Sequence, residues 1–275
     1  MKDNSQQNDA AQHPLRISEA ATANHEQWFP NHKSTLKTSD PDLIEAFDNF
    51  AFDEVMTYGE LNSKTRVIVT LASIIGSQAL SEYKVMLAAA VNVGVTPIEI
   101  KEIVYQSVPY VGMAKAFDFV HATNEFLVSR GIQLPLESQS TTSPETRHQK
   151  GLAAQKAIFG DMIDKLYEQS PKDQLHIQRH LSANCFGDFY TRTGLDIKIR
   201  ELITLSILIA LGGVESQIRG HVKGNINVGN GRETLISVIT QLLPWVGYPR
   251  TLNALNALNE VAPTPDANRS LEEKL

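Results

Sequence analysis

Two ionisable residues stand in an apolar helical hairpin near the C-terminal end, and their types and spacing could support proton transfer. Glu201 begins one apolar run and His221 stands in the next, with Gly212 and Gly213 between the runs. At about 1.5 Å of rise per residue, the returning helix brings His221 to roughly one turn from Glu201. An imidazole oriented by a carboxylate is a general acid or base near neutral pH. The spacing therefore predicts a catalytic pair.

The chain contains an internal duplication. Residues 52–75 align with residues 186–209 at a shift of 134, and residues 92–125 align with residues 227–260 at a shift of 135. A repeat of this length indicates two copies of one structural unit within the chain.

The duplication bears on whether Glu201 and His221 form a site or a structural contact. A lone histidine among apolar neighbours is often a hydrogen-bonded core residue. The first copy, however, has Val67 in place of Glu201 and Met86 in place of His221. Because the first copy has apolar residues at both positions, we expect a site in the second copy only.

Both copies have the three- and four-residue apolar spacing of helices, and no segment alternates as a strand does. The predicted fold is therefore all-α, with two helical repeats packed about a pseudo-twofold. Trp28, Phe29 and Pro30 are predicted to reach a neighbouring chain from a loose N-terminal segment. The predicted boundaries are a polar N-terminal arm (1–38), a first repeat with a degenerate site (39–130), a linker (131–146), a second repeat (147–262) and a C-terminal tail (263–275).

Composition excludes several functional classes. A net charge of −6 over 275 residues argues against a nucleic-acid partner. The single cysteine, Cys185, permits no internal disulfide and is interpreted as a packed residue. The chain shows neither a signal peptide nor an apolar run of about 18 residues, so we expect a cytoplasmic protein without membrane contact. No metal site is predicted, since His176 and His180 share a helical face without a third ligand.

Several motifs of the second copy resemble those of the carboxymuconolactone decarboxylase family, within the alkylhydroperoxidase-D-like superfamily. The resemblance covers residues 147–262 and, more weakly, residues 42–128. The matching motifs are Arg147-x-x-x-Gly151 with Phe159-Gly160, Phe186-Gly187-Asp188, Gly194-Leu195, Arg200-Glu201-Leu202-Ile203-Thr204, Ala210-Leu211-Gly212, His221-Val222-Lys223, Asn227-x-Gly229 and Trp245-x-Gly247-x-Pro249, with Lys64-Thr65-Arg66, Asn92-x-Gly94-Val95-Thr96 and Tyr110-x-Gly112 in the first copy.

This resemblance implies an all-α fold, homo-oligomers built around a trimer, and a reaction without a cofactor. Members of the family protonate an unsaturated carboxylated lactone as carbon dioxide leaves, and His221 matches their proton-handling histidine. The superfamily also reduces peroxides with a Cys-x-x-Cys pair four and seven residues before that histidine. Gln217 and Val214 stand at those positions here, so dithiol peroxidase chemistry is not expected.

We therefore expect an enzyme that decarboxylates, or transfers a proton to, a small carboxylated lactone or related organic acid. His221 is assigned as the general acid or base, and Glu201 as the residue that orients it. An anion in an apolar pocket needs a cation, so Arg200, Arg192 or Lys223 is predicted to bind the substrate carboxylate. Trp245 and Tyr248 are predicted to form the pocket wall. Two alternatives stay open, a non-catalytic binding or assembly protein and a lactone isomerase or hydrolase.

Two prolines inside apolar helices indicate two further candidate residues for a pocket wall, Tyr110 and Trp245. Pro109 and Pro244 interrupt apolar helices, each followed three residues later by a glycine. They indicate either a corner between helices or a pocket wall, in which case Tyr110 or Trp245 faces a cavity.

Overall fold

The computed structural model describes residues 15–264, and all regular secondary structure in this part of the chain is helical, without a strand. Two π-helical segments occur, π1 (Phe50–Glu54) and π2 (Leu181–Tyr190). No helix between residues 15 and 264 is long and apolar enough to span a membrane. The α-helices are α1 (Glu19–Trp28), α2 (Leu36–Ser39), α3 (Pro41–Asn49), α4 (Ser63–Gly76), α5 (Leu80–Asn92), α6 (Pro97–Val111), α7 (Met113–Ser129), α8 (Arg147–Phe159), α9 (Met162–Gln169), α10 (Leu175–His180), α11 (Ile197–Leu211), α12 (Glu215–Asn227), α13 (Arg232–Val246) and α14 (Tyr248–Val261).

Helices α1–α7 and α8–α14 follow one another in the same order, with π1 after α3 and π2 after α10. The correspondence includes α1 and α8. The Asn92 side-chain amide donates to the Trp28 carbonyl at 2.8 Å, and that of Asn227 donates to the Ile158 carbonyl at 2.8 Å. Because the equivalent asparagines hold the ends of α1 and α8 alike, the first repeat begins at α1. We infer that this repeat includes α1 in addition to the predicted residues 39–130.

The predicted role of the N-terminal segment is also corrected. Trp28 is fully buried and Phe29 nearly so, both in the core of the first repeat. Their rings meet Phe52 edge to face, at centroid distances of 5.6 and 6.3 Å. These two residues are thus unavailable to a neighbouring chain. The predicted C-terminal tail lies, from residue 265 onward, outside the described residues.

The two repeats share one interior where α4 crosses α11. A Cβ atom on Gly76 would lie 2.7 Å from the Ile207 carbonyl oxygen and 2.8 Å from the Ala210 Cβ atom, so only glycine permits this separation. Ile203 and Ile207 of α11 belong to the core of the first repeat, and Val69 of α4 belongs to that of the second. The repeats are therefore not independent units.

Two buried polar contacts show the pseudo-twofold. The Arg66 guanidinium donates to the Gln241 amide oxygen at 2.8 Å, and the Arg200 guanidinium donates to the Gln106 amide oxygen at 2.9 Å. Each pair joins one repeat to the other, with an arginine and a glutamine at equivalent positions. This arrangement confirms the predicted fold of duplicated helical repeats.

Candidate active site

The α11–α12 hairpin brings Glu201 and His221 together. The Asp196 side chain caps α11 by accepting from the Ile199 amide at 2.9 Å, and Gly212 ends the helix with φ of 67°. Helix α12 then returns, and His221 Nδ1 lies 3.0 Å from Glu201 Oε2. The predicted spacing of the hairpin is confirmed.

Only one edge of the His221 ring is accessible. Glu201 is fully buried, whereas the His221 side chain keeps 11% of its surface exposed. Phe159 and Tyr110 meet the imidazole edge to face, at centroid distances of 5.4 and 5.7 Å. Nε2 makes no hydrogen bond within residues 15–264 and is not among the side-chain nitrogens sealed from solvent. Nε2 is therefore the atom that can meet a substrate.

Helix α8 supplies Phe159 because glycines let α8 approach π2. A Cβ atom on Gly151 would lie 1.9 Å from the Ser182 carbonyl oxygen, and one on Gly187 would lie 2.2 Å from the Arg147 carbonyl oxygen. Neither position has room for a side chain. The close contact places the C-terminal end of α8 beside His221.

The second oxygen of Glu201, Oε1, accepts a hydrogen bond from the first of a series of linked hydroxyl groups. The Tyr190 hydroxyl donates to Glu201 Oε1 at 2.8 Å, and the Tyr110 hydroxyl lies 2.9 Å from that of Tyr190. The Cys185 thiol donates to the Tyr110 hydroxyl at 3.7 Å. Burial raises the pKa of both phenols well above the ordinary value, with a smaller contribution from the Glu201 charge, so both keep their protons.

A second series of hydrogen bonds connects Tyr190 to Arg200, which forms ion pairs between the repeats. The Thr204 hydroxyl lies 2.8 Å from the Tyr190 hydroxyl, and the Gln106 amide nitrogen donates to Thr204 at 3.2 Å. The amide oxygen of Gln106 in turn accepts from Arg200. Since Arg200 can only donate, it fixes the orientation of the Gln106 amide.

These contacts determine the direction of every hydrogen bond around Glu201. Tyr190 gives its proton to Glu201 and therefore accepts from Tyr110 and Thr204. A carboxylate accepts only, so His221 must donate through Nδ1. In the neutral imidazole the lone pair then lies on Nε2, the accessible nitrogen. The arrangement makes His221 a base at Nε2 when neutral and an acid there when protonated.

The first repeat has the arginine and the glutamine of this network but lacks the hydrogen bonds that follow them. Arg66 and Gln241 are present, but the Gln241 amide nitrogen and the Thr70 hydroxyl are buried without hydrogen-bond partners. Met56 stands at the position of Tyr190, as Val67 and Met86 stand at those of Glu201 and His221. The polar pair is thus confined to the second repeat.

Two segments of the chain, residues 41–125 and 176–260, match the family described as "Carboxymuconolactone decarboxylase family". The chain belongs to this family. One curated relative, the 4-carboxymuconolactone decarboxylase of Acinetobacter baylyi (strain ATCC 33305 / BD413 / ADP1), is 26% identical over 118 residues, which cover 42% of this chain and 87% of the relative. The family match thus covers both repeats.

Within this family fold, the three predicted carboxylate-binding cations lie in different surroundings. Arg200 is fully buried and bonds to Gln106, to Glu102 at 2.9 Å and to the Arg192 carbonyl. Arg192 chelates the same Glu102 carboxylate through Nε, at 2.9 and 3.0 Å. Lys223 is exposed on α12. Arg200 is therefore an ion-pair residue enclosed between the repeats, and its assignment to substrate binding is corrected.

The predicted wall residues also lie elsewhere. Trp245 packs on Phe47 at a centroid distance of 5.5 Å, in the first repeat, and Tyr248 is 56% exposed and stacks on Phe50. The rings that contact His221 are instead Phe159 and Tyr110. Cavities of about 670, 380 and 350 Å³ lie among residues 15–264, and none of these three is lined by His221.

Proposed function

We propose that the chain catalyses the cofactor-independent decarboxylation of a small carboxylated lactone, or a related proton transfer on an organic acid. The observation that carries the proposal is the 3.0 Å contact between His221 Nδ1 and a fully buried Glu201, with Nε2 left accessible. Membership of the family and the name of the Acinetobacter relative support this class of reaction.

The proposed reaction needs one proton at carbon. The bond between the ring and the carboxylate breaks, carbon dioxide leaves, and the bonding electrons delocalise into the unsaturated lactone. His221 then gives the Nε2 proton to the carbanionic carbon and is reprotonated by solvent. Glu201 stabilises the imidazolium before the transfer and keeps Nδ1–H in place afterwards. Phe159 and Tyr110 lower the local polarity, which favours release of a neutral molecule from a carboxylate.

The substrate carboxylate is proposed to meet Arg192 or Lys223. Both cations keep some exposed surface, whereas Arg200 is fully enclosed. Arg192 also lines the cavity of about 670 Å³.

A spectrophotometric assay tests the proposed activity. Carboxylated lactones, including 4-carboxymuconolactone, are screened for loss of ultraviolet absorbance and for release of carbon dioxide. Replacing His221 by Ala removes the proton donor, so kcat is expected to fall about 100- to 10,000-fold. His121→Ala, at an exposed histidine of α7, is the matched control and should keep wild-type turnover. Equal turnover by wild type and His221→Ala contradicts the assignment.

A second candidate, a non-catalytic binding protein, is favoured by the cavities. None of the three cavities described above is lined by His221, and most of the imidazole is enclosed. Saturable binding of a lactone without turnover, unchanged in His221→Ala, would support this candidate. A lactone isomerase or hydrolase would consume substrate without releasing carbon dioxide.

A further inference from the structure

The first repeat contains a cavity of about 380 Å³ with aromatic walls. Phe29, Phe47, Phe52 and Trp245 line it. Its volume falls within the range of pockets that bind small molecules. None of these rings contacts His221 or Glu201, so this cavity is separate from the proposed active site.

This cavity occupies the place in the first repeat that the His221 site occupies in the second. Trp245 is the equivalent of Tyr110, and each comes from the opposite repeat to face its pocket. Phe29 at the end of α1 corresponds to Phe159 at the end of α8, since both follow the carbonyl group bound by an asparagine. After duplication, the two equivalent pockets carry different polar groups.

Carboxylates supply the charge in the cavity of the first repeat. Glu82, in place of the neutral Gln217 of the second repeat, is half-buried and makes no hydrogen bond or ion pair within residues 15–264. Asp48 is 6% exposed, and its one ion-pair partner in the described part of the chain is Lys37, with Nζ 3.8 Å away. Burial raises the pKa of Glu82, as expected for a carboxylate without a counter-ion.

Positive charge is scarce on the same walls. Among residues 15–264, no lysine or arginine lines the cavity, and the nearest cation given by an ion pair is Lys37 at Asp48. Of its two histidines, His32 is exposed, and burial lowers the pKa of His25, with Asp48 opposing and Lys37 adding to the effect. His25 is therefore neutral at pH 7, and an anionic ligand would meet repulsion from Glu82, whose charge no ion pair within residues 15–264 compensates.

We propose that this cavity binds a small organic amine, with its ammonium group at Glu82 and its aromatic or apolar frame against the surrounding rings. A cation gains from the faces of aromatic rings and from a carboxylate that has no other partner. The second repeat would then handle an organic acid and the first would recognise an organic cation. The duplicated pockets would have diverged in the charge that they accept.

Isothermal titration calorimetry of the full chain at pH 7 tests this inference with two ligands of the same shape. Phenethylamine carries the ammonium group, and 2-phenylethanol has the same frame without the charge. We expect saturable binding of the amine at one site per chain, at least tenfold tighter than that of the alcohol. Equal affinities, or no saturable binding of the amine, would overturn the proposal.

Substitutions locate the binding site. Glu82→Gln keeps the shape of the side chain and removes its charge, so the affinity for phenethylamine should fall at least tenfold. Glu60→Gln, at an exposed carboxylate away from the cavity, makes the same change in net charge and should bind like the wild type. Unchanged affinity in Glu82→Gln would contradict the assignment.

A second variant keeps the test decisive if Glu82→Gln does not fold. Val85 lines the cavity and is 44% exposed, so Val85→Arg places a cation there without disturbing the core. Its affinity for phenethylamine should also fall at least tenfold, with helicity by circular dichroism unchanged, and wild-type affinity would refute the proposal. The lactone assay and the amine titration use different ligands and variants, so either proposal can fail while the other stands.

Discussion

At the residue scale, the central feature is a fully buried carboxylate whose two oxygens both accept hydrogen bonds. Glu201 receives Tyr190 on one oxygen and His221 on the other. The charge of a buried carboxylate is tolerated when hydrogen-bond donors surround it. The environment of Glu201 therefore holds the imidazole in one tautomer and one orientation.

Glu201→Gln tests this orienting role. The amide keeps the size of the side chain but loses the charge that stabilises the imidazolium, so kcat should fall on the order of 100-fold while KM changes little. Steady-state kinetics gives both constants. Loss of the low-field Nδ1 proton resonance of His221 in the NMR spectrum would show that the hydrogen bond is weakened. Wild-type kcat would contradict an orienting role, and Glu60→Gln serves as the exposed control.

The Cys185 thiol provides a second test at this scale. It is 5% exposed, and burial raises its pKa to about 12, although the hydrogen bond to Tyr110 opposes the shift. Only about one molecule in 10,000 would carry a thiolate at pH 8. We expect no reaction of the native protein with Ellman's reagent, and release of one equivalent after denaturation in guanidinium chloride. Rapid stoichiometric labelling of the native state would show that Cys185 is accessible.

Sequence could identify Glu201 and His221 because both stand in long, regular helices. It missed Tyr190, which ends π2, because the wider turn of a π-helix shifts side chains away from the 3.6-residue pattern. It also assigned Trp245 to the pocket of its own repeat, whereas α13 presents this side chain to the other one. The periodicity of a single helix does not indicate that one of its side chains lines the pocket of the other repeat.

At the scale of elements, glycines with positive φ stand at the ends of α5, α6 and α12. Gly94 and Gly229 follow the ends of α5 and α12 with φ of 83° and 93°, in the left-handed conformation that glycine allows after a helix. A Cβ atom on Gly112, which follows α6, would meet nothing within 4 Å, so no close approach of another backbone requires this glycine. Its φ of 80° is the physical reason for glycine at that position.

Helix ends were predictable only in part. At two places where a capping residue precedes a proline, a helix does begin: Thr96-Pro97 begins α6 with a capping box, and Asp40-Pro41 begins α3. Ser143-Pro144 and Ser170-Pro171 precede turns instead, and α8 and α10 begin three or four residues after the prolines. A proline after a capping residue suits the first position of a turn as well as that of a helix, so the local sequence does not distinguish them.

Two glycines of α12 give a matched prediction. A Cβ atom on Gly224 would lie 2.7 Å from Glu201 Oε2 and 2.8 Å from Phe159 Cε1, so Gly224→Ala should lower the free energy of unfolding by about 1–3 kcal/mol and reduce turnover. Gly220 has nothing within 4 Å, so Gly220→Ala should raise it by up to about 1 kcal/mol. Urea unfolding measures both. A loss of stability in Gly220→Ala that equals or exceeds the loss in Gly224→Ala would contradict the geometry.

At the scale of the whole molecule, the repeats interpenetrate. The cores exchange side chains through α4 and α11, and the Arg–Gln pairs join the repeats at two equivalent places. Neither repeat can bury its apolar faces without the other. The sequence predicted the duplication, but the depth of this exchange depends on tertiary contacts that periodicity does not encode.

We therefore expect a single unfolding transition. Calorimetric and van't Hoff enthalpies should agree, because the shared interior melts as one unit. Gly76→Ala, at the crossing of α4 and α11, should lower the midpoint of the transition without splitting it, at a cost of about 1–3 kcal/mol. Two resolved transitions, in the wild type or in this variant, would show that the repeats unfold separately.

The placement of Tyr110 has a consequence for how this gene can change. Helix α6 belongs to the half that lacks the acid–base pair, yet its tyrosine touches the imidazole of the other half. Substitutions on α6 can therefore alter the proposed site directly, so the first half does more than support the second. A saturation mutagenesis screen for the proposed turnover should find intolerant positions on α6 as well as on α11 and α12, so a variant without the first repeat would lack a side chain that lies against His221.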